Sequence, residues 1–112
     1  MKPLYDDFMN VARKIVESNL DNDSFGCPEL CERLRMSRSH VHRKLKAATN
    51  MSTSDFIKHI RLEKAKDMLL STNQSVSQVA YKVGYTDANY FSRSFSKIYG
   101  IPPSQYRQPM SI

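Results

Sequence analysis

Two segments of this chain repeat each other, and the repeat restricts the fold more than any other feature. Segments 26–46 and 75–96 align in two steps. An offset of 49 pairs Cys27 with Val76, Leu30 with Val79, Cys31 with Ala80 and Leu34 with Val83. An offset of 50 then pairs Val41 with Phe91, Arg43 with Arg93 and Leu45 with Phe95. Each copy reads as a short helix, a turn and a second helix, with one extra residue in the turn of the second copy. In such a unit the first helix crosses the second steeply, and a small side chain at the crossing, Cys31 or Ala80, permits the close approach. The turn needs a residue that tolerates a left-handed backbone. Gly84 supplies it in copy two, and Arg35 stands there in copy one at a cost of about 1–2 kcal/mol if left-handed. Hydroxyl N-caps, Ser37 and Thr86, open the second helices, and Ser75 with Gln78 makes a capping box for the first helix of copy two.

The rest of the chain is also patterned for helices. Residues 6–19 carry an apolar stripe at Phe8, Val11, Ala12, Ile15 and Val16, followed by Leu20 and a turn-prone Asp21-Asn22-Asp23-Ser24. Residues 53–71 form the longest helical pattern, capped by Ser52 or Thr53, with Phe56, Ile57, Ile60, Ala65, Met68 and Leu69 inward and Ser71-Thr72-Asn73 at its end. Pro102 or Pro103 opens a last short helix through Tyr106. No segment alternates as a strand does. The expectation is an all-α fold of about seven helices. Two helix-turn-helix subdomains with homeodomain-like lobes, residues 6–51 and 72–108, are joined by a linker helix, 52–71, in one domain covering 1–112. A helix of roughly 18 residues spans about 27 Å, enough to hold two reading helices about 34 Å, one turn of B-DNA, apart.

Charge supports a polyanionic partner. Residues 1–32 carry a net −4, residues 33–66 a net +8 and residues 67–112 a net +2, which together give the chain's +6. Positive charge gathered in one third of the chain favours nucleic acid, since each neutralised phosphate releases a counterion; a solvated basic helix is the plainer reading. No apolar run approaches a membrane span and no signal peptide is visible, so a cytoplasmic location is expected. Cys27, Cys31, His40 and His42 fit no standard zinc spacing, so no metal or other cofactor is expected and both thiols read as small core residues. A phosphate-cradling glycine loop and a nucleophile–base signature are both missing, which argues against an enzyme.

The order Ile60-Arg61-Leu62-Glu63-Lys64-Ala65, Met68-Leu69-Leu70, Val76-Ser77-Gln78-Val79-Ala80, Val83-Gly84-Tyr85, Tyr90-Phe91-Ser92-Arg93-Ser94-Phe95 and Tyr99 through Arg107 resembles the signature of the AraC/XylS-family DNA-binding domain. Met36 through Lys46 is similar to that family's first reading helix, and the likeness covers about residues 6–108. Arg35 and Cys31 replace the family's usual glycine and alanine, and Ser96 stands where lysine is usual, with Lys97 beside it. The resemblance implies a two-lobed helical fold, major-groove reading by the second helix of each lobe, and transcription control, usually activation through RNA polymerase. The start near Asp6-Asp7, where the family domain begins, suits an excised C-terminal domain, whose fused partner would be a ligand-binding barrel, a receiver domain or a hybrid kinase; a free-standing small regulator is the alternative.

Within the two reading helices, about 38–48 and 87–98, the core positions Val41 and Leu45, or Phe91 and Phe95, leave particular residues facing a groove. These are Ser39, His42 and Arg43 in the first lobe, and Ala88, Asn89, Ser92 and Arg93 in the second; the same positions match the family's base-reading ones. Arg43 and Arg93 suit a guanine edge, or else a phosphate; Asn89 suits adenine, or else the backbone; Ala88 can only touch a thymine methyl. Ser37, Arg38, Lys44, Lys46, Thr86, Tyr90 and Lys97 are the phosphate candidates. His40 and His59 read as surface or packing residues, and Tyr85, Tyr99 and Tyr106 as core. The competing readings are a basic protein-interaction module and a nonspecific nucleic-acid binder.

Overall fold

A computed structural model describes residues 4–107, with side chains from residue 7 onward. Residues 1–3 and 108–112, which the sequence reading included in the domain, lie outside the described residues. Among the described residues there are seven helices and no strand: α1 Leu4–Glu17, α2 Cys27–Leu34, α3 Arg38–Thr49, α4 Thr53–Ser71, α5 Val76–Lys82, α6 Ala88–Tyr99 and α7 Pro103–Arg107. They form two compact units, the first made of residues up to 20 and 24–60, the second of 21–23 and 61 onward. The linker helix foreseen at 52–71 has no core of its own. The first half of α4 gives Phe56, Ile57 and Ile60 to the core of unit 1, and its second half gives Leu62, Ala65 and Leu69 to that of unit 2.

Unit 1 packs α1 against α2 and α3. Phe8, Ala12 and Val16, four apart, form one buried seam with Leu30, Cys31, Val41 and Leu45. Val11, a member of the apolar stripe, is 49% exposed. The row Phe8, Ala12 and Val16 carries the burial, while Met9 and Ile15 on its flanks are partly buried against the same core. The helices end as their capping chemistry dictates. Arg35 closes α2 in a left-handed conformation, φ 56° and ψ 44°. The Ser37 hydroxyl accepts from the His40 N–H at 3.2 Å and starts α3. Asn50, φ 62°, ends α3, with its N–H donating to the Lys46 carbonyl at 2.9 Å. Of the two candidate caps for α4, Ser52 performs the role, its hydroxyl accepting from the Asp55 N–H at 3.1 Å, while Thr53 is buried.

Unit 2 repeats the turn. The Tyr85 N–H donates to the Ala80 carbonyl at 2.9 Å, as the Met36 N–H donates to that of Cys31 at 3.1 Å, and Gly84 is left-handed like Arg35. The Ser75–Gln78 capping box is formed, with bonds of 2.8 and 3.1 Å. Thr86, however, is not the cap of α6. The Asp87 carboxylate takes that place, accepting from the N–H groups of Asn89 at 2.8 Å and Tyr90 at 3.2 Å. The slip from offset 49 to offset 50 therefore falls just before the cap: Ser37 corresponds to Asp87, and Thr86 is the inserted residue. An aromatic row of Tyr85, Phe91, Phe95, Tyr99 and Tyr106, with neighbouring centroids 4.7–6.1 Å apart, fills the core around Leu62, Ala65 and Leu69. Pro103 is the first residue of α7, and the Arg107 guanidinium donates to the carbonyls of Leu69, Thr72 and Gln74, tying the end of α4 to that helix.

The left-handed arginine gives a direct test of the repeat. Relief of about 1–2 kcal/mol of backbone strain, set against the greater unfolded freedom of glycine, makes Arg35→Gly stabilising by about 0.5–1 kcal/mol. Urea unfolding followed by circular dichroism reads the gain; a loss of stability would show that the Arg35 side chain contributes more than its backbone costs.

Candidate nucleic-acid interface

The two second helices expose comparable faces because their cores are placed alike. On α3, Val41 and Leu45 are fully buried, and on α6 so are Phe91 and Phe95. What remains outside α3 is Ser39, His42, Arg43 and Lys46, which at spacings of three and four share one face. All are exposed, as is Arg38 at the first helical position. Arg38, Ser39 and His42 also line an open recess of about 340 Å³ whose far wall is Ser52, Thr53 and Ser54 at the start of α4, with Cys27 of α2 beside them.

Two phosphate candidates of this lobe have other occupations. Lys44 is half-buried, with its ammonium 5.2 Å from the centroid of the Phe8 ring, and so lies on the α1 side of α3. Lys46 donates to the Asn50 carbonyl at 3.3 Å. Ser37 caps α3, and its hydroxyl can also meet a passing phosphate at the helix N-terminus.

On α6, Asn89 and Arg93 are exposed and one helical turn apart, while Ser92 is half-buried. Ala88 is partly buried against the core of unit 2, which shortens its reach into a groove. Tyr90 is exposed with its ring 5.8 Å from that of Tyr85, and Thr86 and Lys97 are exposed. The sequence reading passed over Asp87. A carboxylate at a helix N-terminus stabilises the helix through its dipole, but it also places negative charge beside Ala88 and Asn89. The register of the repeat was the signal that could have identified it. The two faces thus differ in electrostatics: α3 carries Arg38, Arg43, Lys44 and Lys46 with no acid, whereas α6 carries Arg93 and Lys97 with Asp87 at its cap.

Burial pushes the Tyr85 phenol up to about 12, against the opposing hydrogen bond with Ser94. Its ring is core, not a stacking platform. His40 is exposed and His59 half-buried. Cys27 and Cys31 are free thiols with sulfurs 3.9 Å apart, and burial, followed by the hydrogen bond between them, pushes the Cys31 thiol up. Among the described residues no three His, Cys, Asp or Glu side chains gather as a metal site, and no helix is long and apolar enough to cross a membrane.

Comparison with known proteins agrees with this geometry. A family described as a helix-turn-helix domain matches residues 30–109. The protein named Histidine kinase P4 of Formosa agariphila is 38% identical over 100 residues, covering 89% of this chain and 7% of its own length. The raffinose operon transcriptional regulatory protein RafR of Pediococcus pentosaceus is 38% identical over 94 residues, covering 82% of this chain and 34% of its own length. The chain thus spans no more than about a third of either relative. The crystal structure of the C-terminal domain of the two-component response regulator yesN from Fusobacterium nucleatum superposes with a TM-score of 0.80 at 31% identity, covering 91% of this chain and 99% of that one. The two helix-turn-helix units, the match over residues 30–109 and these relatives place the chain in the AraC-type helix-turn-helix family of transcription regulators.

Proposed function

We propose that the chain reads double-stranded promoter DNA, α3 and α6 entering successive major grooves, as the output domain of a larger regulator. The observation that carries this reading is the matched pair of outward faces, opposite Val41 and Leu45 on one helix and Phe91 and Phe95 on the other. Ser39, His42 and Arg43, with Asn89, Ser92 and Arg93, read base edges, Arg43 and Arg93 by paired donation to guanine. Ala88 contributes at most a methyl contact. Ser37, Arg38, Lys46, Thr86, Tyr90 and Lys97 hold phosphates, and Lys44 does so on leaving the Phe8 ring. RNA polymerase is the partner for transcription, and the signal arrives from a fused sensor or receiver domain in the cytoplasm.

The test is fluorescence anisotropy on DNA selected from a random library, against scrambled DNA, at two salt concentrations. A specific reader keeps its preference as salt rises, whereas a nonspecific binder loses affinity for both duplexes together. Arg93→Ala is expected to cost about 1–3 kcal/mol and to relax base preference at one operator position. Equal weakening on every sequence would assign Arg93 to phosphate instead.

A further inference from the structure

The recess beside α3 has a chemical feature that DNA reading does not use. Cys27 is the first residue of α2, is half-buried and lines the recess with Arg38 and His42, and its sulfur lies 3.9 Å from that of Cys31, which is buried one turn further in. We propose that Cys27 and Cys31 are a reversible dithiol oxidation site for hydroperoxides, and that closing it alters the α3 face that meets DNA.

The accessible Cys27 sulfur reacts first. It attacks the peroxide, the O–O bond breaks, and an alcohol or water leaves while Cys27 becomes a sulfenic acid. The Cys31 sulfur then attacks the sulfenic sulfur, the S–S bond forms, the S–O bond breaks, and the hydroxyl departs with the Cys31 proton as water. Two thiols lose two electrons and two protons, and the peroxide accepts both. Burial shields Cys31 from direct attack by the peroxide, which leaves the more accessible Cys27 as the sulfur that reacts first.

The geometry couples this step to α3. Side chains four apart on a helix hold their Cβ atoms about 5–6 Å apart, while a disulfide needs about 3.8 Å. Closure must therefore draw in the first turn of α2. That turn is held by the Leu30 N–H donating to the Gly26 carbonyl at 3.0 Å and by the Gly26 N–H donating to Glu29 Oε1 at 2.9 Å, bonds that the movement must strain. The movement shifts the wall that Cys27 shares with Arg38, Ser39 and His42.

The experiment exposes the reduced chain to hydrogen peroxide, alkylates it with iodoacetamide in denaturant and measures intact mass. The expected product is a monomer lighter by two hydrogens that takes up no alkyl group, and dithiothreitol restores two alkylations. Cys31→Ser should stop at a sulfenic acid trapped by dimedone, and Cys27→Ser should stay reduced over the same time, with circular dichroism confirming that both are folded. A disulfide-linked dimer, or two thiols still open to alkylation, would overturn the site. The coupling rests on the DNA-binding reading, and the closed form is expected to bind the selected duplex about tenfold more weakly. Unchanged affinity of the closed form overturns the coupling, whereas a reduced form that binds no duplex counts against the DNA reading alone.

Discussion

Phe95→Ala lowers the stability of unit 2 by about 3–5 kcal/mol, the range for emptying a fully packed aromatic site. Phe95 is fully buried and is the most connected ring of the core, with centroids 5.9 Å from Phe91, 4.7 Å from Tyr99 and 5.5 Å from Tyr106. Removing it takes away the transfer energy of the ring and leaves a void bordered by three other rings, which cannot all tilt inward without losing their own contacts. Five of the six tyrosines, all but Tyr5, belong to unit 2, so near-ultraviolet circular dichroism during urea unfolding reports mostly on that unit. A loss below about 1 kcal/mol would mean that the row of rings repacks freely.

Arg61→Met destabilises unit 2 by about 2–4 kcal/mol even though the apolar stem is retained. Arg61 is 6% exposed in α4. Its guanidinium donates to the Val83 carbonyl at 2.6 Å and to the Asn22 carbonyl at 3.0 Å. One bond fixes the turn between α5 and α6; the other fixes the loop that follows α1. Burial lowers the Arg61 pKa, opposed by the charges of Tyr85 and Asp23. Methionine fills much of the volume but leaves both carbonyls unmet. Arg61→Lys recovers only part of the loss, since a single ammonium cannot copy a planar fork reaching two acceptors. Urea midpoints of the three proteins rank wild type, Lys, Met; equal midpoints for wild type and Met would show that the fork does not hold the turn.

The features legible in the sequence were those with a local cause. Ser75 with Gln78 announces a capping box within four residues, Thr53–Ser71 is bounded by its own cap and stop, and the repeated small residues Cys31 and Ala80 locate both helix crossings. The inserted residue was harder to place. Thr86 and Asp87 are both good caps, and only backbone geometry decides between them. Val11 belongs to the apolar stripe yet stays exposed, because spacing shows which residues share a face but not how much of that face a neighbour covers. Lys44 counted as a phosphate ligand on charge alone, and nothing local points to the Phe8 ring beneath it. Arg61 and Arg107 meet backbone carbonyls far along the chain, and carbonyls leave no mark on the sequence. For the interface, the exposure of Arg43, Asn89 and Arg93 follows from the four buried anchors, while the partial burial of Ala88 and Ser92 depends on how α6 beds into its core.

Thr86 acts as a shim, and protein engineers would meet it at once. Splicing the specificity of one lobe into the other by aligning the glycine-position turns carries the transplanted helix one residue out of step. On an α-helix one residue is a rotation of about 100°, enough to send anchor side chains toward solvent and outward-facing side chains toward the core. Exchange between the lobes succeeds only when the graft begins at the caps, Ser37 for Asp87.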